Sequence, residues 1–242
     1  MDEWRLQPAQ DFGLPPRERL RNLRRESGLV SVVSQWTWWT LSTVYLRLYH
    51  RLRIDGRSNV PAEGPFIMIA NHASMLDALI LAAPFGLRLR ERVFPIAAGD
   101  TFFETPGRTL FATACINALP MWRRNCGPHA LDTLRRRLVE ERCIYVLFPE
   151  GTRSRDGRPL PFKAGLGRLT AGTDVPVVPC HISGAWEAAP PGSRIPRPRP
   201  IRLCIGRPMR FEQEPDDRNG WNRVVAAAEE AVLALGRSAR DG

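Results

Sequence analysis

The chain has 242 residues, 43% of them hydrophobic and 25% charged, which excludes a disordered or fibrous protein and suffices for one well-buried domain. Its formal charge is +10, almost all from arginine, since Lys163 is the only lysine; the excess reflects either a GC-rich genome or a phosphate-bearing partner, whether lipid headgroup, anionic membrane or nucleic acid. Five dispersed cysteines (Cys115, Cys126, Cys143, Cys180, Cys204) without a Cys-x-x-Cys pair argue against a disulfide framework and for reduced thiols.

Residues 1–26 are polar and basic, with Arg17, Arg19, Arg21, Arg24 and Arg25 clustered, and nothing there reads as a secretory leader. From Ser27 to Leu46 no charge occurs. That is about the length of a spanning helix, but the stretch is only moderately apolar. Ser31, Gln35, Trp38, Ser42 and Tyr45 recur at helical steps along one face, and Val32, Val33, Trp36, Trp39 and Val44 gather on the other. Indole rings favour the headgroup level of a bilayer, so the segment reads as an interfacial helix, with packing on the domain core as the competing reading. Residues 1–50 are therefore expected to be a basic, membrane-associating element ahead of a catalytic domain at 51–242.

From residue 52 onward short apolar strands alternate with helical segments. This predicts an α/β fold, a single domain whose central sheet is mostly parallel or mixed and is flanked by helices. Strands are expected at 66–70, 93–97, 119–122, 144–148, 175–179 and 201–205. Helices are expected near 75–83, 107–116, 128–141 and 163–172, with a final one from about Asp217 to Leu235. Five prolines between Ala188 and Pro200 mark a loop.

Two stretches carry chemistry. Asn71-His72-Ala73-Ser74-Met75-Leu76-Asp77 follows an apolar strand directly, so its side chains stand at the end of a sheet, where ligands bind. Ser74 and Asp77 have the spacing of a capping box. An Asp five residues after a His can also fold back onto the ring, fixing its tautomer and making the far nitrogen a better base. Phe148-Pro149-Glu150-Gly151-Thr152-Arg153-Ser154 again empties from a strand into a loop. Gly151 permits close backbone approach, Thr152 offers a hydroxyl and Arg153 a fork-shaped donor for a phosphate monoester. Lys163, in Pro161-Phe162-Lys163-Ala164-Gly165, suggests an anion contact beside a helix start. Trp122-Arg123-Arg124 ends a strand with two guanidinium groups. His181, with no carboxylate near it in sequence, reads as structural.

The set resembles the lysophosphatidic acid acyltransferase family, glycerolipid acyltransferases marked by an Asn-His-x-Ser-x-x-Asp block and a Phe-Pro-Glu-Gly-Thr-Arg-Ser block. Both blocks stand here unbroken and in order, and the likeness covers roughly residues 50–210. The resemblance implies that His72 is the general base and Asp77 its orienting partner, with Asn71 and Ser74 shaping the turn. It implies that Arg153 holds the acceptor's phosphate, Glu150, Gly151 and Thr152 shape that site, and Arg123 and Lys163 contribute. Its implied substrates are a lysophospholipid, most naturally 1-acyl-glycerol-3-phosphate, and an acyl thioester on coenzyme A or carrier protein, with no cofactor and no metal. The approach to Arg123, Ile116-Asn117-Ala118-Leu119-Pro120-Met121-Trp122, is less glycine-bearing than the family's, which leaves open another acceptor such as lyso-ornithine lipid or a glycolipid.

The family likeness also implies a peripheral or monotopic place on the cytoplasmic face of the cell membrane. No serine or cysteine sits beside His72 in a nucleophile elbow, so direct transfer is expected, with oxyanion donors among backbone amides near the dyad. A nucleic-acid reading has no stacking motif, zinc site or recognition helix behind it, and a hydrolase using His72 and Asp77 as metal ligands is the remaining competitor.

Overall fold

Phe66-Ile67-Met68-Ile69-Ala70 carries no polar side chain, and such a strand must be covered on both faces. In the computed structural model it is fully buried and lies mid-sheet. The structure describes residues 15, 29–90, 92–98, 105, 109–110, 112–113, 115–121, 128–193 and 195–239. In chain order the elements are α1 (Leu29–Tyr49), β1 (Arg53–Asp55), β2 (Phe66–Ala70), α2 (Asp77–Ala82), α3 (Leu87–Arg90), β3 (Val93–Ala98) and β4 (Leu119–Met121). They continue with α4 (Pro128–Glu140), β5 (Ile144–Leu147), α5 (Gly165–Thr170), β6 (Val177–Ser183), α6 (Ala185–Ala188), β7 (Arg202–Ile205) and α7 (Arg218–Ser238).

The sheet has the order β1-β7-β6-β2-β5-β3-β4. Every pairing is parallel except β6 with β7, so the sheet is mixed. Alternation along the strands divides the core in two. Phe66, Met68, Ala70, Ile144 and Val146 face one cluster with Trp39, Leu46, Ile80 and Leu81. Ile67, Ile69, Tyr145 and Leu147 face the other with Leu134, Leu166, Leu169, Val224 and Val232. Helices thus cover both faces, and the C-terminal ends of the central strands stay open for loops.

The β6 strand runs over Val177–Ser183, not 175–179. Its extension is explained by the antiparallel pairing of residues 180–183 with β7. The short β1, α3 and α6 lie outside the sequence expectation. Trp122 and Arg123, residues 107, 108, 111 and 114 of the expected 107–116 helix and nearly all of the basic segment 1–26 lie outside the described residues.

Residues 29–49 form the expected N-terminal helix, and its faces divide as the sequence reading had them except at Trp39. Gln35, Trp39, Ser42 and Leu46 are buried, whereas Val33, Trp36, Leu41, Val44 and Leu48 are exposed. Trp39 is core filling, as the packing reading held, yet the outward face is the more apolar one. No helix among the described residues is long and apolar enough to cross a membrane.

Candidate active site

Parallel pairing of β2 with β5, in register Ile69↔Leu147, brings the loops after both strands to the same edge of the sheet. The first loop wraps around one carboxylate. Asp77 Oδ2 accepts from Ala73 N at 2.7 Å, from Ser74 N at 2.7 Å and from His72 Nδ1 at 2.8 Å. One oxygen of the first residue of α2 thus ties off the turn and orients the ring, whereas Ser74 does not cap the helix: the residue at the N-cap is Leu76, with no side-chain cap bond. Because that oxygen is already an acceptor for two amides, Nδ1 is the donor in the third bond. The lone pair then falls on Nε2. Asp77 is 1% exposed while the His72 side chain keeps 21%, so the free nitrogen is the reachable part of the pair. Phe148 stacks on the imidazole, ring centroids 4.1 Å apart and 15° from parallel.

Asn71 and Ser74 hold the turn to the fold. Asn71 donates through Nδ2 to the Ile182 carbonyl (3.0 Å) and accepts through Oδ1 from Ile182 N (2.8 Å). The Ser74 hydroxyl donates to the Ala189 carbonyl (2.8 Å) and accepts from Leu76 N (3.2 Å). Being fully buried and engaged twice, it is not placed as a nucleophile.

The second loop clamps the first. Glu150 Oε1 accepts from His72 N at 3.0 Å, and Ser154 N donates to the His72 carbonyl at 2.8 Å. Glu150 is 1% exposed, so it meets the dyad turn and not solvent. Burial pushes its carboxyl up to about 7, helped by the negative charges of Asp77 and Glu229 and opposed by the amides of His72 and Leu160. The amides of residues 72, 73 and 74 are thus all spent on carboxylates, so an oxyanion would have to draw on other amides near the dyad.

Gly151 has φ +71, and a Cβ on it would come within 2.8 Å of Lys163 Nζ. A glycine here lets the lysine lie against the loop backbone, and Lys163 N also donates to the Pro149 carbonyl at 2.9 Å. Thr152 is exposed and Arg153 partly exposed, and Arg153 makes no ion pair among the described residues. The structure brings together every expected site residue but Arg123, which lies outside the described residues.

Three contributors escaped the sequence reading. Phe148 was quoted within its block but given no part. Glu229, on α7, accepts Phe162 N through Oε2 at 3.1 Å and so fixes the Lys163 loop. Trp186 meets the loop after Arg153. Nothing local marks the last two, since their partners lie far away in sequence. His181 is structural as expected: α7 packs over its ring, where a Cβ on Gly236 would come within 2.5 Å of Nε2. Among the described residues no three His, Cys, Asp or Glu side chains converge as a metal set.

The chloroplastic 1-acyl-sn-glycerol-3-phosphate acyltransferase of Brassica napus is 31% identical over 175 residues, which is 71% of this chain and 48% of that protein. The human 1-acyl-sn-glycerol-3-phosphate acyltransferase beta is 28% identical over 163 residues, 66% of this chain and 56% of its own length. The chain spans about half the length of the curated relatives it matches. The crystal structure of the 1-acyl-sn-glycerophosphate acyltransferase of Thermotoga maritima superposes with a TM-score of 0.63 at 22% identity, covering 85% of this chain and 78% of that one, a likeness of fold. A family model described as Acyltransferase matches residues 51–183, the segment from β1 through β6 that holds both loops, and on this ground the chain belongs to the acyltransferase family.

Proposed function

We propose that the protein moves a fatty acyl group from an acyl thioester to the sn-2 hydroxyl of a 1-acyl-glycerol-3-phosphate, giving phosphatidic acid. The observation that carries this reading is the 2.8 Å contact between His72 Nδ1 and Asp77, on a ring that stays partly exposed. Nε2 takes the acceptor's hydroxyl proton as the oxygen attacks the thioester carbonyl. An O–C bond forms, the C–S bond breaks, and the imidazolium returns the proton to the departing thiolate. A positioned base of this kind contributes typically about 10²–10⁴-fold. Transfer is direct, because Ser74, the hydroxyl nearest to His72 in sequence, is buried and bonded on both sides. Arg153, bidentate by shape and without an ion-pair partner among the described residues, holds the acceptor's phosphate.

The outward apolar face of α1 supports docking on a bilayer surface. Val33, Leu41, Val44 and Leu48 point away from a core that accepts Gln35 and Ser42 instead, the reverse of a helix selected for water alone. We place the protein peripherally on the cytoplasmic face of the membrane, where its free thiols and thioester substrates are at home.

The test offers the purified protein in detergent a panel of lysolipids with labelled acyl-coenzyme A or acyl-carrier protein. The expected outcome is transfer to phosphate-monoester acceptors, abolished by His72→Ala. Arg153→Ala should raise KM for the phosphate acceptor and matter little for an uncharged one. Preferred acylation of a lyso-ornithine or glycolipid acceptor would move the reading to that headgroup.

A further inference from the structure

The segment after Arg153 is gripped by a side chain from outside both blocks. Trp186, in the short α6, donates its indole N–H to the Arg155 carbonyl at 3.2 Å. Its ring lies against Gly157, where a Cβ would stand 3.0 Å from both Cγ and Cδ2. Gly157 has φ +79, so that position asks for glycine twice: by conformation and by the closeness of the ring. Between these contacts the chain closes on itself. Asp156 Oδ1 accepts from the Ser154 hydroxyl at 2.9 Å and from Arg158 N at 3.1 Å. Between Arg153 and these contacts, Ser154 N is bonded to the His72 carbonyl.

The platform beneath Trp186 belongs to the dyad turn. Ala185 and Ala188 are buried in the core cluster, and the Ala189 carbonyl receives the Ser74 hydroxyl at 2.8 Å. Trp186 itself joins none of the hydrophobic clusters of the described residues, so core filling does not account for it. An arginine side chain has four rotatable bonds and aims only as well as its backbone is held. Here that backbone is anchored to the dyad at Ser154 and to Trp186 at Arg155 and Gly157.

We propose that Trp186 is a positioning residue for the acceptor: it fixes residues 155–157 so that Arg153 presents its guanidinium to the acceptor's phosphate at a set place relative to His72. The inference rests on the reading of Arg153 as the phosphate contact. The base and its carboxylate are held by other bonds, so Trp186 belongs to acceptor binding and not to the proton transfer.

The test is a double-mutant cycle on the full chain in detergent, with 1-acyl-glycerol-3-phosphate as acceptor. Trp186→Leu should raise the acceptor KM about tenfold while kcat and the donor KM stay within about twofold. It should also speed amide exchange across residues 152–158. Trp186→Phe, which keeps a ring over Gly157 and loses the N–H, should show a smaller rise and guards against loss of fold in the leucine variant. In an Arg153→Ala background, Trp186→Leu should add nothing further to the acceptor KM. The proposal is overturned if exchange or acceptor KM is unchanged, if kcat falls instead, or if Trp186→Leu acts equally with and without Arg153. Failure of the phosphate reading is separately visible, because Arg153→Ala alone would then leave the acceptor KM where it was.

Discussion

Asp77 is asked to do three things with one oxygen, and each was half-visible in the sequence. Ser74 and Asp77 stood at capping spacing and His72 and Asp77 at dyad spacing, readings that compete on paper. In three dimensions the dyad and half of the box share one oxygen, because the amides of Ala73 and Ser74 donate to the oxygen that holds the ring, while the N-cap itself falls to Leu76. Asp77→Asn should therefore lower kcat by about 10²–10⁴-fold, since an amide offers the ring the wrong partner for one tautomer. Steady-state kinetics would check this, and a variant within tenfold of wild type would defeat the orienting role. Glu150 was legible as a motif residue but not as a buried one, since its partner, the amide of His72, lies across two strands.

Its raised pKa makes a stability prediction. In the folded protein Glu150 holds its proton up to about 7 against an ordinary 4.5, so folding takes up a proton between those values. The contribution is fully present below about 4.5 and is lost as pH rises through about 7. Glu150→Gln keeps an acceptor for the His72 amide and removes the titration. Its melting temperature should gain on wild type between pH 5 and pH 8, and parallel curves over that range would contradict the assignment.

Elements were most legible where periodicity was local. The fully apolar β2, the buried β5 and the amphipathic α4 and α7 stand where the sequence placed them. α7 opens at Asp217, whose carboxylate accepts from Gly220 N at 2.8 Å. Ends set by partners were not legible. β6 continues to Ser183 because β7 is there to pair with it, and α1 buries Gln35 and Ser42 on the side that meets the core. The close approach of α5 to α7 was equally hidden: a Cβ on Gly167 would stand 2.4 Å from the Trp221 carbonyl oxygen. Gly167→Ala should destabilise by about 1–3 kcal/mol through forced displacement of backbone, measurable by urea denaturation, and an unchanged midpoint would show that the helices can shift apart freely. For α1, Val44→Asp places a charge on the outward apolar face. It should weaken flotation with anionic vesicles and leave the unfolding free energy from urea denaturation within about 0.5 kcal/mol, as for an exposed site; retained flotation would remove α1 from the docking surface.

At the scale of the whole molecule, strand order does the assembling. β2 and β5 are neighbours only because the chain leaves β2, crosses to β3 and β4, and returns to fill the gap. That return puts loops 78 residues apart into hydrogen-bond contact. No spacing in the sequence announces this adjacency, although the resemblance to a known family implied it. The account stands on His72 acting as the base of a direct transfer. The most direct measurement is the kcat of His72→Ala on a lysophosphatidic acid acceptor, alongside a melting curve of the same preparation. The account predicts a folded protein whose turnover is down by at least about 10²-fold; a folded variant that keeps turnover within tenfold of wild type would contradict it.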